Sequence, residues 1–223
     1  MINELIQCDC MDYMRTCKDK QFDLAIVDPP YGLDIANMNM GAGKLKKCSK
    51  IENRNWTKKN WDKSTPDKKY FDELFRISKN QIIFGGNYFI LPPTRGFFVW
   101  DKGDGMYGRS FSECEFGWTS FDYPARIVKI CPVDKNRIHP TQKPVALYKW
   151  LLSHYAHASD KLFDSHSGSG SFRIAAYDMG FDLISCEIGA DYRRDNEARY
   201  QAHIMQQELI PVQEIQQLTF GDK

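Results

Sequence analysis

The sequence predicts an α/β protein built on an open, mostly parallel twisted sheet, and three observations carry that prediction. Short apolar runs alternate with stretches of helical periodicity, several of those runs stop abruptly at Asp, Glu or Gly, and polar or glycine-containing loops follow them. Strands that alternate with helices form a parallel sheet covered on both faces, and such sheets take their ligands at the carboxyl ends of the strands. The 223 residues fit one domain, 1–223, since single domains commonly run to roughly 200 residues.

The elements follow in order. Leu5–Cys8 is a short apolar run ending at Asp9, and Met11, Met14 and Cys17 then recur at helical spacing. Phe22–Val27 is a compact strand that runs into Asp28, Pro29, Pro30 and Tyr31; prolines lack the N–H that sheet pairing needs, so a rigid polar loop ends this strand. Residues 32 to about 66 carry Gly41 and Gly43 with little apolar periodicity, which predicts a long flexible loop. Phe71, Leu74, Phe75 and Ile77 mark one face of a helix starting near Tyr70, and the strand Gln81–Phe84 behind it ends in Gly85, Gly86 and Asn87. Gly96–Trp100, Cys114–Thr119 and Arg126–Ile130 are short aromatic or β-branched runs separated by turn residues, predicting antiparallel strands. Pro144 suits the first turn of a helix over Val145 to about Ala156. Lys161–Phe163 is a strand closing on Asp164, Phe172–Met179 a helix ended by Gly180, and Asp182–Cys186 a strand ending at Glu187. Asp191 to about Gln207 forms the last, amphipathic helix.

Composition excludes several classes. Apolar residues at 42% and charged residues at 26% are ordinary globular usage. No apolar run approaches the roughly 18 residues of a membrane span, and Met1, Ile2, Asn3 and Glu4 do not open a basic-then-apolar leader, so a cytoplasmic protein without membrane association is expected. Cys8, Cys10, Cys17, Cys48, Cys114, Cys131 and Cys186 are odd in number and include no C-x-x-C pair, which argues for reduced thiols. His154 and His157 have no third ligand in view, so no metal site is expected. The net charge of +1 conceals a cluster: Lys44 to Lys69 holds ten basic residues against three acidic ones, a local balance of +7.

Three loops carry chemistry. An exocyclic base amine is a poor nucleophile because its lone pair is delocalised into the ring. A carboxylate such as Asp28, with a backbone carbonyl held by a proline, can accept hydrogen bonds from that amine and favour a more tetrahedral nitrogen. Tyr31 adds an aromatic face on which an extruded base can stack. The second loop runs from Asp164 through Ser165, His166, Ser167, Gly168, Ser169 and Gly170, and its small residues let backbone amides approach a ligand. Glu187 ends the next strand, 23 positions after Asp164, where a nucleotide-binding unit sets a carboxylate to accept from ribose hydroxyls. A cofactor with a ribose, and without a phosphate cradle, fits.

Together these residues resemble the S-adenosylmethionine-dependent DNA amino-methyltransferases, in the β-class order where the catalytic motif precedes the cofactor motif; phage or prophage members are nearest. Asp28–Tyr31 is similar to the D-P-P-Y catalytic motif and Asp164–Gly170 to the cofactor loop, with Ser165 and His166 replacing Pro-Phe. Gln7, Cys8, Asp9 and Cys10 resemble the segment that meets the cofactor adenine, and His139 to Pro144 the motif bordering its methionine end.

The resemblance implies a Rossmann-like methyltransferase fold of circularly permuted motif order, S-adenosyl-L-methionine as cofactor, and double-stranded DNA as partner in a bacterial or phage-infected cell. A homodimer stays open. The expected reaction is methylation of adenine N6 by base flipping; cytosine N4, RNA, a protein amide, or a non-catalytic DNA-binding relative are the alternatives. The implied catalytic residues are Asp28, Pro29, Pro30 and Tyr31. The implied cofactor residues are Asp9, Cys10, Asp28, Thr141, Lys143, Asp164, Ser165, His166, Gly168, Ser169, Gly170 and Glu187. Residues 32–69 are expected to contact DNA through Lys44, Lys46, Lys47, Lys58 and Lys59. A target-recognition region of about 92–138 would offer Arg95, Lys102, Arg109 and Arg126.

Overall fold

The computed structural model describes residues 1–34, 62–108, 112–134 and 136–208. In chain order the elements are β1 (Asn3–Ile6), α1 (Cys10–Thr16), β2 (Phe22–Val27), α2 (Lys68–Ile77), β3 (Ser78–Phe84), β4 (Phe97–Asp101) and β5 (Cys114–Thr119). They continue with β6 (Arg126–Lys129), α3 (Val145–Tyr155), β7 (Lys161–Asp164), α4 (Ser171–Asp178), β8 (Asp182–Cys186) and α5 (Ala190–Glu208). The eight strands form one sheet in the order β1-β8-β7-β2-β3-β5-β4-β6. Only β5 runs against its neighbours, β3 and β4.

Alternation along the central strands explains the layering. Leu24 and Ile26 of β2 face one core with Ile82, Phe84 and Leu162, covered by Leu147 and Leu151 of α3 and Phe172 and Ala175 of α4. Ala25 and Val27 face the other, with Ile83 and Phe163, covered by Met14, Tyr70, Phe71, Leu74 and Ile77. Because successive side chains point to opposite faces, a strand apolar at every position must be covered twice.

The chain leaves β2 for β3 on one side and leaves β7 for β8 on the other, so the sheet order reverses between β7 and β2. A crevice opens outside the carboxyl ends of the strands at such a reversal. Asp28, Asp164 and Glu187 stand there, each at or just past the end of β2, β7 or β8.

Three expectations need correction. The first strand is Asn3–Ile6 and stops before Cys8, because Asp9 caps α1 and its carboxylate accepts from the Met11 amide at 2.8 Å. The third strand starts at Ser78, directly after α2, and not at Gln81. The run at Arg126 is parallel to β4, not antiparallel. Both edges of β5 are taken, by β3 and β4, so the chain crosses to the free edge of β4 and arrives there antiparallel to β5 in direction. The strands within 92–138 therefore extend the main sheet.

Candidate active site

Asp28 follows directly on β2, and its two oxygens have different partners. Oδ1 accepts from the Tyr31 hydroxyl at 2.6 Å, and Oδ2 accepts from the Lys143 ammonium. Lys143 is almost fully buried, its side chain 4% exposed, and its ammonium also lies 3.3 Å from Glu115 Oε2 and 4.5 Å from the Phe84 ring centroid. Glu115 Oε1 pairs with Lys102 at 2.9 Å. Four charges thus alternate in sign across the loop after β2, β5, the end of β4 and the segment before α3.

Burial shapes their protonation. Desolvation pushes the Asp28 carboxyl above the usual range, with Lys143 working against it. Burial would also raise Glu115, but Lys143 and Lys102 hold it below the usual glutamate range. Burial would lower Lys143, yet Asp28 and Glu115 raise it, so the ammonium stays charged. A buried charge is tolerated where it is paired and hydrogen-bonded.

The Tyr31 ring stacks on Tyr88, with centroids 4.8 Å apart and planes at 13°. Gly85, at φ +66°, lets the loop after β3 pass against that ring, since a Cβ there would lie 2.3 Å from Tyr31 Cε1.

Beside Asp28 lies a cavity of about 340 Å³ bounded by Pro30, Thr141, Lys143, His166, Gly168, Ser169 and Glu187, among others. Glu187 is buried and grips two backbone amides, Gly168 N at 2.9 Å through Oε2 and Gly189 N at 2.8 Å through Oε1. Asp164 receives the His166 amide at 3.0 Å, and burial pushes its carboxyl up to about 8. Ser165 bridges the Tyr70 hydroxyl and His166 Nδ1, both at 2.7 Å, and burial lowers the His166 imidazole to about 4, so it is neutral at physiological pH.

A support network holds the glycine loop. Asn196 donates to Ser167 Oγ at 3.0 Å and to the Gly168 carbonyl at 3.1 Å, and accepts from the buried Arg173 at 3.0 Å. Gly170, at φ +74°, starts α4, and a Cβ there would meet Asn196 Oδ1 at 2.3 Å.

Asp28, Pro30, Thr141, Lys143, His166, Gly168, Ser169 and Glu187 are thus brought together around one cavity. Pro29 is buried behind them. Asp9 and Cys10 sit at the start of α1, where burial pushes the Cys10 thiol up to about 12. The DNA candidates fare unequally. Arg95 is exposed and pairs with Asp122 at 3.2 Å, and Arg126 is exposed on the edge strand β6. Lys102, with its side chain 12% exposed, faces Glu115 and belongs to the buried charge row. Lys44, Lys46, Lys47, Lys58, Lys59 and Arg109 lie outside the described residues.

Sequence reasoning missed Glu115, Tyr88, Asn196, Arg173 and Tyr192, whose ring lines the cavity and packs on His139 at 4.3 Å between centroids. Only Arg173 left a signal, as a charge inside the apolar run Phe172–Ala176. The others meet their partners across more than ten positions of sequence, as Asn196 meets Ser167 and Glu115 meets Lys102, and no local spacing announces that.

A mostly parallel sheet with a cavity and two buried carboxylates at its switch point defines a ligand-binding α/β protein. Residues 46–198, more than two thirds of the chain, match the family described as DNA methylase, of N6/N4 type, and the chain belongs to that family. The Asp28–Tyr31 loop lies ahead of the matched segment. A putative methylase of Escherichia coli, YubD, is 36% identical over 67 residues, a match covering 30% of this chain and 30% of that protein. Among solved structures, an M1.HpyAVI–SAM complex superposes with a TM-score of 0.56 at 19% identity, over 89% of this chain and 100% of that one. The cytosine-N4-specific PvuII DNA methyltransferase does so with a TM-score of 0.58 at 12% identity, over 90% and 86% of the chains. A putative DNA modification methylase from Thermus thermophilus, complexed with S-adenosyl-L-methionine, gives 0.53 at 14% identity, over 91% and 96%. At these identities the structural likeness is one of fold.

Proposed function

We propose that this DNA methylase moves a methyl group from S-adenosyl-L-methionine to the N6 amine of adenine in double-stranded DNA, with the base turned out of the helix. The observation that carries the proposal is one cavity lined by both Asp28 and Glu187. The residues fit the cofactor: the volume of about 340 Å³ suits a nucleoside with a short side chain, Glu187 offers a charged acceptor to ribose hydroxyls, and Asp164, at the end of β7, is the proposed partner of a cationic group once it ionises. When bound, the cofactor supplies a methyl group activated by its sulfonium.

The chain's own residues prepare the nucleophile. Asp28 accepts a hydrogen bond from the target amine, drawing the lone pair out of conjugation. Pro29 and Pro30 keep the local backbone from rotating, so the acceptors hold their direction. No proton need leave before attack, and the amine nitrogen sheds one afterwards. Adenine is preferred over cytosine N4 on the family resemblance, in which Asp at position 28 accompanies adenine enzymes and Ser more often cytosine ones. Tyr31 is the stacking surface for the extruded base, which requires Tyr88 to give up its place on that ring. The basic residues between 44 and 69 are the proposed phosphate contacts, with Arg95 and Arg126 candidates for sequence choice.

The test is methylation of plasmid DNA followed by mass spectrometry of the released nucleosides. N6-methyladenine is expected, and Asp28→Ala should abolish its formation while leaving the circular dichroism spectrum unchanged. N4-methylcytosine would correct the target, and near wild-type turnover in Asp28→Ala would remove Asp28 from the chemistry.

A further inference from the structure

Resting on the reading of Asp28 as the amine acceptor, we infer that Glu115 is a second seat for the Lys143 ammonium, so that Lys143 can leave Asp28 when a base arrives. Lys143 is a positioning residue in this scheme, and Glu115 acts through it.

The geometry sets the problem first. Both oxygens of Asp28 are engaged, Oδ1 by the Tyr31 hydroxyl and Oδ2 by Lys143. An ammonium held against a carboxylate neutralises much of its charge and crowds the lone pairs an incoming amine would use. Asp28 in that pairing is a poor acceptor, and its full strength requires the ammonium to move.

Glu115 solves the problem. Its Oε1 is taken by Lys102 at 2.9 Å, whereas its Oε2 is buried and makes no well-aligned hydrogen bond among the described residues. That oxygen already lies within ion-pair reach of Lys143 Nζ, at 3.3 Å, but the contact is longer than the best charge-assisted bond. A buried carboxylate oxygen whose one donor is long and poorly aligned gains when that donor moves closer. Rotation of the Lys143 side chain alone would close that gap. The rings of Phe84 and Tyr31, with centroids 4.5 Å and 5.7 Å from Nζ, line the ammonium's surroundings with aromatic groups that tolerate a cation. The side chain is 4% exposed, so water is a poor competitor for either seat.

The groups that bear on Asp28 come from every neighbouring element. They are Lys143 before α3, Glu115 on β5, Tyr31 on its own loop, Tyr148 on α3, Asp164 on β7 and Tyr70 on α2. Among them Lys143 lowers the Asp28 carboxyl and Glu115 raises it, so removing either one should move its titration in opposite directions.

Single-turnover methyl transfer, with plasmid DNA and labelled cofactor over a range of pH, tests the scheme. Glu115→Gln should lower the plateau rate about tenfold and move the acid limb to lower pH, with unchanged affinity for cofactor and DNA. Lys143→Met should move the acid limb to higher pH, and in that background Glu115→Gln should no longer slow the plateau. Lys143→Gln serves equally if the methionine variant does not fold. Glu115→Asp should recover part of the lost rate. Limbs that move together or not at all, or a Glu115→Gln penalty that persists without Lys143, would overturn the two-seat scheme. Asp28→Ala separates the two levels. If it retains activity, the catalytic reading fails; if it is inactive while the limbs stay put, only the role of Glu115 fails.

Discussion

The two ends of the cavity are built from different materials. At the Glu187 end, where the cofactor is proposed to bind, the chain uses backbone: glycines at positive φ, the amides of Gly168 and Gly189 gathered by Glu187, and Asn196 bracing the turn from behind. At the catalytic end it uses side chains whose charges and rings already satisfy one another, with Lys143 on Asp28 and Tyr88 on Tyr31. Backbone cannot be repositioned without refolding, so the first end is preorganised. Side chains can change rotamer, so the second end can open only for a substrate that replaces the contacts it breaks. A small ligand bound in every cycle suits the first design, and a base that must be selected before it reacts suits the second.

The largest expected effect tests the rigid end. Gly170→Ala puts a side chain at φ +74° and drives a Cβ to 2.3 Å from Asn196 Oδ1. Backbone strain plus loss of the Asn196 bonds should cost about 3 kcal/mol or more. Thermal denaturation should show a midpoint lower by about 6–12 °C for a domain of this size. A midpoint within a degree of wild type would mean the loop is softer than its contacts imply.

Glu187→Ala comes next. Loss of a charged acceptor for ribose hydroxyls should weaken cofactor binding by about 1.5–3 kcal/mol, roughly 10- to 150-fold in calorimetry. DNA affinity without cofactor should hardly change. Unaltered cofactor affinity would take Glu187 out of the binding site.

A third expectation concerns protons at the same end. The Asp164 carboxyl, pushed up to about 8 by burial, is mostly protonated at neutral pH. A cationic ligand favours its ionised form, so binding at pH 7 should release up to about one proton, and affinity should rise by at most about tenfold per pH unit below 8. Calorimetry in buffers of different ionisation enthalpy reads that proton directly. The same shift predicts stability in the opposite sense. An acid raised by folding stabilises the chain fully only below its ordinary carboxyl range, and that contribution is lost as pH climbs to about 8. Asp164→Asn should therefore raise the melting temperature of the cofactor-free protein at pH 8 while weakening cofactor binding. A melting temperature that falls would place the burial cost elsewhere.

The contrast between the ends also explains what could be read from sequence. Strand runs such as Phe22–Val27 and the acids that follow them are local patterns, and the parallel sheet with its cavity at the strand ends follows from them. Asp28, Asp164 and Glu187 were legible because each stands where a strand stops. The strand at Arg126 took the opposite direction from the one expected because edge availability in the sheet is a property of the whole topology. Glu115 was illegible for a similar reason: on β5 it is one acid among alternating residues, and only the antiparallel insertion of β5 between β3 and β4 carries it to Lys143. Lys102 looked like one more surface cation until that same pairing buried it.

The smallest expected effect probes the movable end through one oxygen atom. The Tyr31 hydroxyl donates to Asp28 Oδ1 at 2.6 Å, and the ring beneath it stacks on Tyr88. Tyr31→Phe removes only the hydroxyl. The loss deprives Asp28 of a donor, a net term of about 0.5–1.5 kcal/mol for an ordinary hydrogen bond, yet it also frees an acceptor site that the target amine can use. The two consequences oppose each other, so the methyl-transfer rate should change by less than about tenfold. Tyr31→Ala removes the ring as well and should cost an additional 1–3 kcal/mol, about the value of one stacked base. Because burial holds the tyrosine hydroxyl well above its ordinary pKa, neither variant should alter the alkaline side of the rate profile. Equal damage from both substitutions would show that the hydroxyl, and not the ring, is what the catalytic end needs from Tyr31. The division between a rigid cofactor end and a movable aromatic end would then have to be redrawn around the Asp28 hydrogen bonds alone.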